Sequence, residues 1–205
     1  MADGTFAVLM LLLGFDDMRI NHCPTELGCF QRSEVAPRAY FSAGDVLKRR
    51  AEAGPEAYFR YDFDHRNGPF GHAVGVSISS RQEAWFGVGQ TYLIEPHSSP
   101  FKAEFHAMTG LYDKGLGHDL GGRIAFRSGL DLIYETRNDV RLALSYDHRS
   151  HIGIYKENPG METVQFAFEI KLPLAHMTCI FFVSKLQLDL GVACRYYCMR
   201  MVQGS

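Results

Sequence analysis

No stretch of about 18 or more consecutive apolar residues occurs in this 205-residue chain, which excludes a membrane-spanning helix. No charge of one sign predominates. The 21 Lys and Arg against 23 Asp and Glu give a formal net charge of −2, so nothing marks a nucleic-acid partner. Cysteine is missing from residues 39–174, and the five that exist (Cys23, Cys29, Cys179, Cys194 and Cys198) match no zinc or redox spacing. An odd number cannot pair completely within the chain; they read as incidental, with a Cys23–Cys29 loop disulfide as the alternative. No Lys or Arg precedes the apolar run at residues 6–15 (FAVLMLLLGF), and no small-x-small cleavage site follows promptly. The first 38 residues therefore read as a short buried helix or a displaced translation start, with a degraded export signal as the alternative. Nothing argues for two folding units, and the length suffices for one well-buried domain.

What is abundant points to strands. Twenty glycines, fifteen phenylalanines and ten tyrosines suit short strands and turns better than helices. From residue 39 onward polar and apolar side chains alternate with period 2, the mark of strands with one apolar face. Eight such segments are expected, over 39–46, 57–64, 71–79, 84–95, 101–111, 122–135, 138–151 and 161–172. Polar or Gly/Pro-rich turns separate them, Asn67-Gly68-Pro69 among them.

Hydrophobic content of 46% fits a soluble protein and a membrane barrel alike, because half of each barrel strand is polar. A lipocalin-like barrel turns the apolar face inward, and an outer-membrane barrel reverses this. The polar faces mix small residues (Gly75, Gly87, Gly89, Ala125, Gly129, Ala143) with both charge signs (Arg60, Asp62, Glu104, Arg123, Arg127, Asp131, Arg141, Glu169). Small residues suit a crowded interior, and opposite charges satisfy one another there. The expected fold is all-β: an eight-stranded antiparallel up-and-down outer-membrane β-barrel with a polar interior. Ile124, Phe126, Leu130, Leu132, Val164, Phe166 and Phe168 should then point outward, with Arg123, Arg127 and Glu169 inside. A soluble lipid-binding barrel is the alternative.

The last two strands carry the chemistry. Val140, Leu142, Leu144 and Tyr146 share a face that continues to His148 and Ser150; Val164 to Leu172 share a face that begins at Glu162. A hairpin would gather a base, a hydroxyl and a carboxylate at one end of two apolar faces. Serine needs a base to take its proton, and histidine serves best when a carboxylate fixes its tautomer. Polar groups on a lipid-facing surface are costly and point to function. Other clusters read as structural. Glu104 and His106 with Lys102 suit interior ion pairing better than a metal site. His65-Arg66 beside Asp62 and Asp64 suits a turn. Lys48-Arg49-Arg50 suits a solvated loop, with contact to anionic headgroups as the alternative.

The order H-x-S, a short loop with Gly153, N-P-G-M-E and an alternating closing strand resembles the lipid A 3-O-deacylase (PagL-type) family. The likeness extends more weakly through residues 120–127 (LGGRIAFR) and across about residues 39–174. It implies a bacterial outer-membrane barrel acting on lipid A of lipopolysaccharide, with Ser150 as nucleophile, His148 as base and Glu162 as its orienter. The implied reaction removes an ester-linked 3-hydroxyacyl chain without cofactor or metal. The family usually has Asn directly after the serine as an oxyanion donor; here His151 stands there, and the Gly153 amide is the other donor. Residues 175–205 have no counterpart in that pattern. The domain reading is thus 1–38 as an extension or degraded signal, 39–174 as the barrel and 175–205 as a carboxy-terminal extension. The partners implied are lipid A and membrane lipid. The oligomeric state stays open, a homodimer included. A non-catalytic barrel is the competing functional reading.

Overall fold

The alternation in sequence becomes alternation in exposure. The computed structural model describes residues 4–47, 54–156 and 160–173. A three-residue strand, β1 (Arg32–Glu34), precedes eight long ones: β2 (Arg38–Leu47), β3 (Pro55–Asn67), β4 (Phe70–Ser79), β5 (Ala84–Ile94), β6 (Phe101–Asp113), β7 (Ile124–Glu135), β8 (Arg141–Ser150) and β9 (Met161–Lys171). Consecutive long strands pair antiparallel, and β2 pairs with β9 from Arg38↔Lys171 to Leu47↔Glu162, so the sheet closes as an up-and-down barrel. Closure removes every long edge that would otherwise present unpaired backbone. The short β1 was not expected from the sequence. It extends the end of β3 through Arg32↔Asn67 and Glu34↔His65.

Apolar side chains face outward. Ile78, Phe86, Val88, Leu132, Leu142 and Phe166 are exposed, the last by 78%. The lumen is filled by charge and aromatic rings: Arg60, Arg127, Asp131, Gln165 and Trp85 are all buried. This is the membrane arrangement, and it overturns the soluble lipid-binding alternative. Of the residues expected inside, Arg127 and Glu169 are there. Arg123 is not: it lies exposed just ahead of β7, where pairing with β6 begins at Ile124.

The lumen charges neutralise one another. Arg127 and Arg149 are directly opposed on β7 and β8, an arrangement that repels unless something intervenes. Glu56 does so, accepting from Arg127 Nη1 at 3.0 Å and from Arg149 Nη2 at 2.8 Å. Asp147 accepts from Arg127 and contacts the ring of His106, which also lies 3.7 Å from Asp131. Arg60 binds Glu104 and reaches Asp131 at 3.1 Å. Arg127 also stacks 3.7 Å over the Tyr58 ring. Lys102 pairs with Glu95 and Glu135, so His106, Glu104 and Lys102 are spent on ion pairing, as expected.

The amino-terminal apolar run forms helix α1 (Thr5–Asp17), followed by a π-helical turn (Met18–His22). It is not a buried helix. Only Met10 and Gly14 are buried within α1, while Leu12 and Phe15 are more than half exposed. An all-round apolar helix belongs in an apolar surrounding, and α1 lies against the outer faces of β5, β6 and β7. Phe6 packs on Phe105 and Tyr146, with centroids 6.5 and 5.7 Å apart, and Phe15 packs edge-on to Phe70 at 5.7 Å. Gly14 sits so close to the Phe70 ring that a Cβ there would fall 2.4 Å from it. The Cys23–Cys29 disulfide then closes the loop leading to β1. The Lys48-Arg49-Arg50 loop, Cys179, Cys194, Cys198 and residues 175–205 lie outside the described residues.

Candidate active site

Register decides what the last hairpin brings together. β8 pairs with β9 so that Tyr146 opposes Val164 and His148 opposes Glu162. Directly opposed residues in an antiparallel pair point to the same face, with Cβ atoms about 4.5–5.5 Å apart. On β8 that face is the outer wall, since Leu142 and Leu144 are exposed on it while Arg141, Ser145 and Asp147 are buried in the lumen. Ser150 follows on the same face as His148, and each is less than 5% exposed. Glu162 is half-buried, and the Tyr146 hydroxyl lies close to its carboxylate. Gly160, in a left-handed turn at φ 59°, closes over the imidazole; a Cβ there would lie 3.0 Å from His148 Cε1.

Beyond Ser150 the chain leaves the sheet. His151 is fully buried at the strand end, and its Nδ1 accepts from the Tyr155 backbone N–H at 3.2 Å. An accepting Nδ1 in the neutral ring places the proton on Nε2. Tyr155 stacks edge-on to the same ring at 5.0 Å, and its hydroxyl accepts from the Ile124 amide at 3.3 Å, tying the loop to the start of β7. Ile152 and Gly153 both take left-handed backbone, φ 53° and 76°. Glycine adopts that freely, whereas for a β-branched residue it is strained. Strain of this kind, of order 1–3 kcal/mol, gathers at functional sites.

Sequence reading missed two neighbours. Ser128 on β7 opposes His148 from the side away from Glu162, so Ser128, His148 and Glu162 form one polar row across three strands. Its signal was a gap: among outward residues 124, 126, 130, 132 and 134, position 128 alone is neither aliphatic nor aromatic. Tyr146 stood in the sequence as one more apolar-face aromatic, and nothing there foretold that its hydroxyl lies close to Glu162.

A family model described as Lipid A 3-O-deacylase (PagL) matches residues 56–171. Among solved structures, the crystal structure of the outer membrane enzyme PagL is 14% identical, covering 66% of this chain and 99% of that one at a TM-score of 0.53. Neisserial surface protein A is 17% identical over 69% of this chain and 99% of its own, at 0.46. The Yersinia pestis outer membrane protein Ail is 10% identical over 66% of this chain and 100% of its own, at 0.41. No curated protein matches the chain significantly.

Proposed function

Because the chain belongs to the lipid A 3-O-deacylase (PagL) family, we propose that it hydrolyses the ester of a 3-hydroxyacyl chain on lipid A, using Ser150, His148 and Glu162. It is an outer-membrane barrel, apolar outside and charged within. The two longest described connections, β6 to β7 and β8 to β9, lie at the rim that carries the three residues, together with the short turn 80–83, while the opposite rim has the turns at 68–69, 95–100 and 136–140. Longer loops mark the extracellular side of such barrels, where lipopolysaccharide is displayed.

The observation that carries the reading is the register. His148 and Glu162 are opposed on the lipid-facing wall, and Ser150 shares that face one side chain further on. In the proposed reaction His148 takes the Ser150 proton as Oγ attacks the ester carbonyl, then returns it to the departing sugar oxygen. Water cleaves the acyl-enzyme by the same base, releasing the fatty acid and restoring the serine. Glu162, steadied by Tyr146, orients the imidazole and stabilises its charged form. His151, holding its proton on Nε2, and the Gly153 amide are the proposed oxyanion donors; loss of one such donor costs about 2.7–4 kcal/mol.

The test is direct. Purified protein is mixed with lipopolysaccharide, and free 3-hydroxy fatty acid and lipid A mass are followed by mass spectrometry. Release by the natural chain and none by Ser150→Ala is expected. Lipid A of unchanged mass in both would favour the non-catalytic barrel.

A further inference from the structure

The helix on the outer wall bears on which substrates reach the serine. A cavity of about 310 Å³ lies between α1 and the outer faces of β5 to β8, lined by Gly4, Ala7, Val88, Thr109, Ser150 and Ile152 among others. That volume falls at the lower end of small-molecule pockets, about 300–1,000 Å³. One wall is the barrel. The other is the first turn of α1, whose small residues Gly4 and Ala7 leave the space that a larger side chain would fill. Between them Phe6 is turned onto Phe105 and Tyr146. The far end of α1 is fixed by Phe15 and Gly14 against Phe70.

We propose that α1 is the second wall of the groove that receives the scissile acyl chain, and that Gly4 and Ala7 set how long a chain reaches Ser150. This rests on the esterase reading above. The occupant is a saturated acyl chain. The exposed lining is mostly apolar, and its one charged residue, Arg127, sends its side chain into the lumen to Glu56 and Asp147, so a peptide or nucleotide would bury polar groups without partners. The groove opens on the lipid-facing wall, where acyl chains are the solvent. It is continuous with Ser150, whereas the apolar hollow between Leu132 and Phe166 on the uncovered wall has no serine in its lining. Chains bound elsewhere on the barrel would meet lipid on every side; here one flank is protein.

The experiment uses the full chain in detergent micelles, with p-nitrophenyl esters of four to fourteen carbons as probes. Ala7→Trp fills the groove from the helix side and Thr109→Phe from the barrel side, each checked for folding by heat-dependent gel mobility. The ratio of kcat/KM for the longest ester over the shortest should fall by about tenfold or more in both, the loss of a few buried methylenes. An unchanged ratio in folded Ala7→Trp and Thr109→Phe would overturn the inference. A second arm needs no turnover. Ser150→Ala protein is irradiated with a phosphatidylcholine whose acyl chain bears a diazirine, and the crosslinked peptides are mapped. Adducts concentrated on residues 4–8 and on β5 and β6 support the groove even if no ester is hydrolysed, in which case the esterase reading alone fails. Adducts spread evenly to β9 and β2 sink the groove and leave the esterase reading standing.

Discussion

Strand β8 carries polar residues on both faces, and the two sets answer different needs. On the lumen face Asp147 and Arg149 sit among opposite charges: Asp147 with Arg127 and His106, Arg149 with Glu56. On the outer face His148 and Ser150 interrupt an apolar wall, with Glu162 opposite. Charge in the lumen satisfies itself and fills space. The polar row on the outer wall is set among apolar side chains and is retained, on the proposed function, for chemistry. On the proposed function, adjacent residues of one strand then separate folding from catalysis by period 2 alone.

Substitutions on each face should separate the same way. The largest effect is expected outside: Ser150→Ala and His148→Ala should each lower lipid A deacylation by at least about a thousandfold. Heat-dependent gel mobility should not change, since neither residue closes the barrel. Glu162→Ala should keep a rate roughly a hundredfold above that of Ser150→Ala, because an orienting carboxylate contributes less than the attacking group. Equal rates for these two variants would assign Glu162 a more direct part. Inside, Asp147→Ala should destabilise the barrel by about 3–5 kcal/mol, because Arg127 and His106 lose a buried counter-charge. Urea unfolding in lipid vesicles measures this, and unaltered stability would undo the contrast between faces. The smallest effect is expected for Tyr146→Phe, which removes only the hydroxyl close to Glu162. Its kcat should fall by about tenfold or less, with the unfolding midpoint unchanged; a shifted midpoint would move Tyr146 to the structural set.

How far the sequence reached follows from what period 2 encodes. Alternation located all eight long strands, because a strand with one apolar face cannot hide its pattern, and Leu132 against Asp131 places the apolar side outward once closure is seen. It also placed His148, Ser150 and Glu162 on continuing faces, and the observed register sets His148 against Glu162. What alternation does not encode is pairing across distant strands. Glu56 between Arg127 and Arg149 joins residues 71 and 93 positions apart, and no local pattern announces it. Ser128 was missed for a related reason: its meaning comes from His148 on the next strand, not from its own neighbours. The helix was misjudged as buried because an all-round apolar run looks the same whether protein or lipid surrounds it.

Trp85, the single tryptophan of the chain, lies 1% exposed in the lumen, with the guanidinium groups of Arg127 and Arg149 5.8 and 5.7 Å from its ring. Intrinsic fluorescence therefore reports on closure of the charged interior and is blind to the membrane. Brominated lipids in the surrounding bilayer should leave its emission untouched, so any quenchable signal in Ala7→Trp arises from the new indole on the outer wall. One chain then carries two optical channels, one for assembly of the lumen and one for lipid at the groove.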